Sequence, residues 1–313
     1  MSYLRAGRRS SRPPRMSAIA DVESVRRLEA AMEKLLIGLD HIRNPSDTQG
    51  QWHNPAPRSM ECRVRLSDVV AAVPAFSERL RSLRAPCTDI NWYPYNSLDN
   101  VYNWNTFVAP SAELVPNRGS VLDIGCADGD MGFLFQSLGC EVDFLDNAAT
   151  NFNDCKGVKR TAELLGHTGR IIERDVDFGF ALDREYDLAL FLGTLYHLRN
   201  PALALLRLAE HCEQMLLSTR VLSALPPEHS GVSVANAPVA YLVDTLELNS
   251  DSTNWWIFSP SGLTRLLKRC GWTVIVSTIR FDATLPVDQR DERMFMLCRR
   301  VVNYRDLTKH HHF

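Results

Sequence analysis

The stretch "VLDIGCADGD", residues 121–130, decides the fold of this chain. An apolar run ends at Asp123, and a loop with two glycines and two further acids follows it. Gly125 and Gly129 allow the backbone to turn sharply and to approach a ligand closely. In open parallel sheets, ligands bind beyond the carboxyl ends of the strands, where the strand order reverses. The loop is therefore predicted to form the floor of a binding site.

Outward from this loop, short apolar segments alternate with amphipathic ones. The segments with strand character are "SVLDIG", "EVDFLD", "RIIERD", "YDLALFLG", "QMLLSTRV", "TVIVSTIRF" and "RMFMLCRR". Those with helical character are "MGFLFQSLG", "GVKRTAELLG", "PALALLRLAEHC" and "SPSGLTRLLKRCGW". Continuous apolar strands indicate burial on both faces, which is typical of a parallel sheet between helices. The pattern predicts an α/β fold with a doubly wound, mostly parallel seven-stranded sheet, whose last two strands form a hairpin.

The N-terminal part has a different organisation and predicts a helical extension of this sheet domain. Apolar residues over 21–42 recur at helical spacing, and "LSDVVAAVPAFSERLRSL" predicts a second helix that Pro74 bends or splits. The first 16 residues contain five arginines and no acid, with no apolar segment after them that would make an export signal. We therefore predict a basic disordered tail over 1–16, the helical extension over 17–85, the sheet domain over 86–302 and a C-terminal tail over 303–313.

Composition excludes several classes of protein. The net charge of −2 over 313 residues argues against a general polyanion binder. No apolar run approaches the roughly 18–20 residues that cross a bilayer, so no membrane association is predicted. The eight cysteines are scattered, without metal-ligand spacing. They predict reduced thiols in a cytoplasmic protein with no metal site.

The acids in the loop indicate which ligand it binds. A dinucleotide site needs the helix N-terminus free for a diphosphate, which Asp128 and Asp130 would repel. Two carboxylates suit a cation instead. S-adenosylmethionine (SAM) has no phosphate and carries a sulfonium and an ammonium group, so the loop favours SAM over NAD.

Further acids fall where SAM needs contacts. Asp146 ends the second sheet strand, 23 residues after Asp123, within the range at which an acid binds a ribose diol. Asp175 ends the third strand and could accept from the adenine amine, with Val176 against the ring, or it could cap a helix. The fourth strand ends at "FLGTLYHL", where a side chain is expected to face the transferred methyl group.

These features together resemble the class I SAM-dependent methyltransferases. The resemblance covers about residues 86–302 and rests on the Asp-x-Gly-x-(Gly/Ala)-x-Gly loop and on the acid that ends the second strand. Ala127 stands where many relatives have glycine. The resemblance implies SAM as cofactor, bound by Asp123, Gly125, Cys126, Ala127, Gly129, Asp146, Asn147, Asp175, Val176, Leu192 and Gly193.

Within that superfamily the chain most resembles the tRNA wobble-uridine carboxymethyltransferases. "LYHLRNP" is similar to their Leu-Tyr-His-Arg-Arg-Ser-Pro, and "WWIFSPSGLTRLLKRCGW" is similar to their aromatic-Ile-Pro-Ser segment. Leu198 replaces the first arginine of that motif, one of the residues that hold the carboxylate of carboxy-SAM, and Arg199 matches only the second. This difference favours plain SAM.

Tyr196 and His197 are the candidate catalytic residues. Methyl transfer is an in-line displacement, so the enzyme mainly aligns the nucleophile with the methyl carbon. A hydroxyl acceptor must also lose a proton, and histidine is suited to take it. Alternatively, His197 hydrogen-bonds the loop, and positioning alone is sufficient for an acidic acceptor.

Several side chains are candidates for binding the acceptor. Trp92 and Tyr95 belong to an aromatic segment that either packs on the domain or forms a lid. Asn254 and Trp255 lie in a polar-aromatic segment that suits a ring with hydroxyls, or they pack in a solvated loop. Arg199 and Arg220 could bind an anionic group, or Arg220 could pair with a nearby acid.

The sequence thus predicts a SAM-dependent methyltransferase that acts on oxygen or nitrogen of a small polar, sugar-like or aromatic acceptor. A tRNA wobble-base methyltransferase or carboxymethyltransferase is the alternative from the resemblance, and it would need a basic groove. A non-catalytic SAM-binding module is a third hypothesis, disfavoured because nothing in the loop looks degraded.

Overall fold

The computed structural model describes residues 62–117, 119–225, 231–245, 247–248, 251–281 and 291–301. The chain divides into two compact units between Ser59 and Met60, and every described residue belongs to the second unit. The predicted basic tail, the helix predicted over 21–42 and the predicted C-terminal tail over 303–313 lie outside the described residues.

The described residues form eleven strands and six α-helices. The strands are β1 (Val64–Arg65), β2 (Glu113–Val115), β3 (Ser120–Ile124), β4 (Glu141–Asp146), β5 (Ile171–Glu173), β6 (Tyr186–Leu192), β7 (Cys212–Arg220), β8 (Ala240–Leu242), β9 (Trp256–Phe258), β10 (Trp272–Arg280) and β11 (Arg293–Arg300). The helices are α1 (Leu66–Arg84), α2 (Asp99–Trp104), α3 (Asp130–Ser137), α4 (Lys156–Leu165), α5 (Pro201–His211) and α6 (Pro260–Arg269). Among these described helices, none combines the length and the apolar composition that crossing a bilayer requires.

The main sheet contains seven strands in the order β10-β11-β7-β6-β3-β4-β5. The strands from β7 to β5 are parallel to one another, whereas β11 pairs antiparallel with both β7 and β10. The predicted fold class, a doubly wound and mostly parallel seven-stranded sheet ending in a hairpin, is confirmed.

Burial follows the position of each strand in the sheet. All five residues of β3 and the first six of β6 are buried, because helices cover both faces of the sheet centre. Along the edge strand β10, buried or half-buried residues alternate with exposed ones, as expected where one face meets solvent. The continuous apolar segments of the sequence therefore correspond to the central strands.

Helix α1 belongs to the same unit as the sheet. It is continuous from Leu66 to Arg84 although Pro74 lies within it, so the proline does not split the helix. Its buried residues join the core formed by strands and helices of the sheet domain: Leu66, Val69, Val73, Phe76 and Leu80. The boundary expected after residue 85 therefore differs from the division at Ser59, because an amphipathic pattern identifies an apolar face but not its packing partner.

The order in which the strands follow one another across the sheet reverses at β3. Its neighbours are β4 on one side and β6 on the other, and all three run parallel. Their carboxyl ends open at the same edge of the sheet, where the segments after Ile124, Asp146 and Leu192 meet. This is the edge at which open α/β sheets bind ligands.

Between β7 and α6 the chain leaves the sheet in an excursion over residues 221–258. The excursion is closed at its base, because Val221 bridges Phe258 and the Leu222 amide donates to the Phe258 carbonyl at 3.0 Å. Within it, β8 and β9 pair antiparallel. The described part of this excursion lies next to the end of β6, since the Trp255 amide donates to the Tyr196 carbonyl at 2.9 Å.

Candidate active site

The loop after β3 is held by its backbone conformation and by the segment after β6. Gly125 has a φ of +62°, a conformation that L side chains rarely adopt. Its amide donates to the Leu145 carbonyl at 2.8 Å. A Cβ at this position would lie 2.1 Å from Thr194 Oγ1. A side chain at position 125 would therefore collide with Thr194, which packs against the loop. This packing accounts for the glycine, whereas the sequence suggested that the glycine leaves space for a ligand.

Asp146 lies at the end of β4, beside this loop. Its Oδ2 accepts from the Ala127 amide at 2.9 Å and from Asn151 Nδ2 at 3.1 Å, and its Oδ1 accepts from the Asn147 amide at 2.7 Å. Burial raises the pKa of this carboxyl, and these three hydrogen bonds together with a weaker one from the Cys126 thiol oppose the shift. A carboxylate offers about four acceptor positions. Oδ1 consequently retains capacity for a donor such as a ribose hydroxyl.

Asp123 lies beneath the loop instead of facing the cleft. It is 3% exposed, and its Oδ2 accepts from the amide of Gly132 in the first turn of α3 at 2.9 Å. Burial raises the pKa of this carboxyl to about 7, and the hydrogen bond opposes the shift. The carboxyl of Asp123 attaches α3 to β3, and its contact with the cofactor stays a prediction.

The two other loop acids are also occupied by protein groups. Asp128 is buried and accepts from the Tyr93 amide and from Asn153 Nδ2, each at 2.8 Å. Asp130 pairs with Arg84, whose guanidinium also donates to the Asp128 carbonyl at 3.1 Å. The argument that both carboxylates face a ligand cation is therefore wrong, because these groups connect the loop to the segments around it.

At the end of β5, the predicted contacts form a structural cluster. Asp175 caps the short 3₁₀ helix Val176–Phe178, accepting from the Asp177 amide at 2.9 Å. Arg199 donates from Nε to Asp177 at 3.2 Å, and its Nη2 lies 3.6 Å from Asp175 Oδ2. The capping alternative for Asp175 is thus observed, and Arg199 is held by acids at this end of the cleft. Val176 is buried in the apolar core below it.

The remaining predicted cofactor positions lie along the same edge. Leu192 and Gly193 end β6, and the Gly193 amide donates to the Ser218 carbonyl at 2.8 Å. Cys126 is buried, and its thiol donates to Asp146 at 3.7 Å. Burial, ahead of the nearby carboxylates, raises the pKa of that thiol, so it stays protonated at neutral pH. Gly129 precedes α3 as its N-cap residue.

His197 belongs to a hydrogen-bonded chain of three side chains. Thr253 Oγ1 lies 2.8 Å from His197 Nδ1 and donates to Asp251 Oδ1 at 2.6 Å. Because the single hydroxyl proton goes to the carboxylate, the hydroxyl oxygen accepts the proton of Nδ1. Nε2 then carries the lone pair, and it makes no hydrogen bond within the described part of the chain. Burial lowers the pKa of His197, and the charge of Asp251 opposes the shift.

Tyr196 is buried beneath two arginines from neighbouring strands. The guanidinium carbons of Arg220 and Arg293 lie 5.8 and 5.5 Å from the centre of its ring. Both arginines also contact Asp291, from Arg220 Nε at 3.2 Å and from Arg293 Nε at 2.9 Å. Arg293 Nη2 lies 3.5 Å from the Tyr196 hydroxyl. The alternative that Arg220 pairs with a nearby acid is therefore observed, and a second arginine joins it.

The aromatic segment before the sheet approaches the cleft through Tyr93 and Tyr95. The Tyr93 hydroxyl accepts from the Phe152 amide at 2.9 Å, and its ring centre lies 5.4 Å from that of Tyr95. Desolvation, followed by the charge of Tyr196, raises the pKa of Tyr95 to about 12, although 64% of the residue is exposed. Trp92 is occupied by Arg84, whose guanidinium carbon lies 4.5 Å from the ring centre.

Asn254 and Trp255 lie close to the segment that follows β6, since the Trp255 amide donates to the Tyr196 carbonyl. Asn254 is buried, and its Nδ2 donates to the Leu248 carbonyl at 3.2 Å, whereas its Oδ1 has no partner among the described residues. A buried acceptor without a donor costs about 1–3 kcal/mol, so this oxygen favours a bound donor. Trp255 is 39% exposed and stands 5.9 Å from the guanidinium carbon of Arg199.

The position used to argue against carboxy-SAM does not face the cleft. Leu198 is 6% exposed and packs in the apolar core between the sheet and its helices. The absence of an arginine at this position therefore says nothing about the charge of the site. The cations near Tyr196 come from Arg220 and Arg293 instead.

Sequence reasoning missed three contributors to this cluster. Arg293 follows no local pattern, and only its pairing with β7 brings it to Tyr196. Asp251 and Thr253 were part of a polar segment with candidate binding residues, but their connection to His197 spans more than 50 residues. The Asp-x-Thr spacing, which closes a local turn, is a signal that could have identified the pair.

Solved structures provide the following likenesses. The N-terminal domain of EvdMO1 with SAH bound is 16% identical over 72% of this chain and 97% of that chain, with a TM-score of 0.45. The glycopeptide N-methyltransferase MtfA complexed with SAM is 19% identical over 57% and 80%, with a TM-score of 0.39. The 1,6-didemethyltoxoflavin-N1-methyltransferase of Burkholderia thailandensis is 18% identical over 58% and 71%, with a TM-score of 0.41. No curated protein matches the sequence of this chain.

A family model described as a methyltransferase domain matches residues 101–277, more than half of the chain. The match includes the loop after β3, the end of β4 and the cluster around His197. The resemblance to SAM-dependent methyltransferases is thereby confirmed, whereas the likeness to the tRNA wobble-uridine group stays a prediction. The chain therefore belongs to the methyltransferase domain family and is a SAM-dependent methyltransferase.

Proposed function

We propose that this enzyme methylates an oxygen or nitrogen of a small polar, sugar-like or aromatic acceptor, with His197 as general base. The observation that carries the proposal is the His197–Thr253–Asp251 chain, which directs the lone pair of the imidazole to Nε2. His197 ends the short 3₁₀ helix Leu195–His197 that follows Gly193, next to the cleft at the carboxyl ends of β3, β4 and β6. An oxygen acceptor gains most from a base at this place, because a hydroxyl must lose its proton as it attacks.

The cleft fits the cofactor at its ribose. Asp146 has an acceptor position left on Oδ1, and the backbone of Ala127 and Asn147 holds the carboxylate in place. The buried Asp123 and the hydrogen-bonded Asp128 support the loop from below, and Leu192, the last residue of β6, lies along the same edge of the sheet. We assign ribose binding to Asp146, and contacts along the rest of the cofactor to the loop over 125–129.

Catalysis by this chain consists mainly of alignment and of proton removal. Bound SAM would supply an electrophilic methyl group, and the bond of its carbon to sulfur would break as the acceptor bonds to that carbon, which leaves S-adenosylhomocysteine. His197 Nε2 takes the acceptor proton, Thr253 keeps Nδ1 protonated, and Asp251 holds the hydroxyl in its orientation. Because burial lowers the pKa of His197, the imidazole is neutral and able to act as a base at pH 7.

The first experiment measures cofactor binding. We expect SAH and SAM to bind in isothermal titration calorimetry and NAD not to bind. Asp146→Ala should weaken SAH binding by about 1–3 kcal/mol, because it removes a charge-assisted hydrogen bond. Asp183→Ala, an exposed acid away from the cleft, is the matched control. NAD binding without SAM binding would contradict the proposed function.

The second experiment identifies the acceptor and tests the base. The enzyme and methyl-labelled SAM are incubated with metabolite extracts and, separately, with bulk tRNA. Label that is found in tRNA alone would show that the acceptor is RNA and not a small molecule. With the labelled acceptor, His197→Gln should lower kcat by about 10²–10⁴-fold with little change in SAH affinity.

The pH profile tests the three-residue chain. The rate should rise with pH and level off below the range of an ordinary histidine, since the pKa of His197 is lowered. Asp251→Asn removes a charge that raises this pKa, so the rising limb should move to lower pH and its plateau should fall. Asp244→Asn, an exposed acid in the same excursion, should change neither. Coincident profiles for Asp251→Asn and wild type would exclude Asp251 from this role.

A further inference from the structure

Two arginines stand directly opposite each other on neighbouring strands at the edge of the site. The antiparallel register of β11 and β7 pairs Arg293 with Arg220. Like charges directly opposite in a sheet destabilise it. Their side chains are also largely buried, with 28% and 11% exposed, so solvent screens the repulsion only in part. This arrangement therefore lowers the free energy of unfolding.

Within the described part of the chain, one carboxylate forms ion pairs with both arginines. Asp291 contacts both guanidinium groups, and its side chain is 49% exposed. Asp251 also interacts electrostatically with Arg220, but among the described residues it forms no ion pair with either arginine, and its carboxylate accepts from Thr253. The two guanidinium groups therefore share Asp291 as their one ion-pair partner in the described part of the chain. The flat ring of Tyr196 underlies both guanidinium groups and orients them.

The pair lies on the side of the cleft away from the ribose. The proposed ribose contact is at the end of β4, and the sheet order continues through β3 and β6 to β7 and β11. Gly193, at the end of β6, lies next to Arg293, because a Cβ there would be 3.7 Å from Arg293 Nη1. A group that crosses from Asp146 toward these arginines passes the end of β6 and His197 first.

We infer that Arg220 and Arg293 bind a carboxylate of the acceptor. The two arginines share one ion-pair partner among the described residues, and a planar guanidinium group can donate to both oxygens of a carboxylate. The carboxylate then fixes the acceptor so that its nucleophile faces His197 Nε2. This inference rests on the proposed function and adds the class of acceptor: a small ring compound that carries a carboxylate.

The test uses the full chain and defined probes. Benzoate and glucuronate are titrated into the protein with and without saturating SAH, beside the neutral benzyl alcohol and glucose and beside inorganic phosphate. We expect the carboxylates to bind better than the neutral probes and phosphate. Arg293→Gln and Arg220→Gln should each weaken carboxylate binding at least about tenfold, the effect of losing a charged hydrogen bond. Arg207→Gln, an exposed arginine on α5, should match wild type.

Each other outcome overturns the inference. If wild type does not bind the carboxylates, or if both variants bind them as tightly as wild type does, the arginines are not a carboxylate site. If wild type prefers phosphate, the proposed class of acceptor is wrong. A loss of SAH affinity in Arg293→Gln would show that the arginine binds the carboxylate of the cofactor itself. Carboxy-SAM that binds more tightly than SAM, with the advantage lost in Arg293→Gln, would assign the pair to the transferred group. Titrations without SAH test the arginines even if SAH fails to bind, in which case the proposed function fails separately.

Discussion

The two ends of the cleft are built from different kinds of contact. At the cofactor end, the contacts of Asp146 all come from Cys126, Ala127, Asn147 and Asn151, on two adjacent loops of the parallel sheet. At the acceptor end, Tyr196 is surrounded by side chains from β7, from β11 and from the excursion. The first end depends on the local path of the backbone, and the second depends on which distant strands pair.

Because of this difference, we expect substitutions at the two ends to have different effects. The cofactor end is stabilised by backbone amides and by buried acids, so its shape is part of the fold itself. The acceptor end consists of long side chains that rest on one aromatic ring. We therefore expect substitutions at the cofactor end to affect stability and binding together, and substitutions of the arginines at the acceptor end to affect binding more than stability.

We expect the largest effect on stability from a charge placed in the apolar core next to the acceptor end, at position 198. Leu198→Arg buries an unpaired guanidinium in the apolar core and should lower the free energy of unfolding by about 3–5 kcal/mol. If position 198 faced the cleft, the same change would instead improve binding of carboxy-SAM. Urea unfolding and ligand titration on one sample distinguish these results, and Leu198→Met, of similar volume, should cost less than about 1.5 kcal/mol.

A Cβ added to the loop breaks the cofactor end. Gly125→Ala and Gly166→Ala share the conformational strain, since their φ angles are +62° and +64°, but only Gly125 has a neighbour within 4 Å. Gly125→Ala should therefore cost about 1–3 kcal/mol more than Gly166→Ala and should weaken SAH binding as well. Equal stability of the two variants, measured by urea unfolding, would mean that Thr194 moves aside without cost.

The smallest effect sharpens the comparison through pH. The pKa of Asp123 is raised to about 7 in the folded protein, whereas the unfolded carboxyl ionises near 4. Between these values the folded state binds more protons, so the free energy of unfolding falls as pH rises, by about 1.4 kcal/mol per unit from this group. Asp123→Asn cannot ionise and should remove that slope. The free energy of unfolding would be measured by urea unfolding at pH 5, 6 and 7. An equal change with pH in wild type and in Asp123→Asn would contradict the prediction.

The sheet and the cofactor end were largely predictable because their signals are local. Continuous apolar runs identify β3 and β6, and the acid that ends β4 marks the ribose position within a few residues. The roles of the loop acids were not predictable. Asp128 meets the Tyr93 amide 35 residues away, and Asp130 meets Arg84 across 46 residues. Nothing in the loop indicates that these partners exist.

The acceptor end was predictable only in its central residues. His197 and Tyr196 follow a strand end, which is a local signal. Arg293 reaches them through the antiparallel register of β11 against β7, and a shift of one residue would turn its side chain to the other face of the sheet. The sequence contains no indicator of that register, so neither the arginine pair nor the burial of Leu198 could be inferred from it.

The closed base of the excursion has a consequence for how this enzyme could be altered. Because Val221 and Phe258 hold its two ends together, a change in its length leaves the ends where they are, and each doubling of length costs only about 0.6 kcal/mol in chain entropy. The excursion is therefore a segment whose length can change without moving the sheet that carries it. Exchanging part of it while Asp251 and Thr253 are kept should change which compounds the enzyme accepts and leave the loops after β3 and β4 intact.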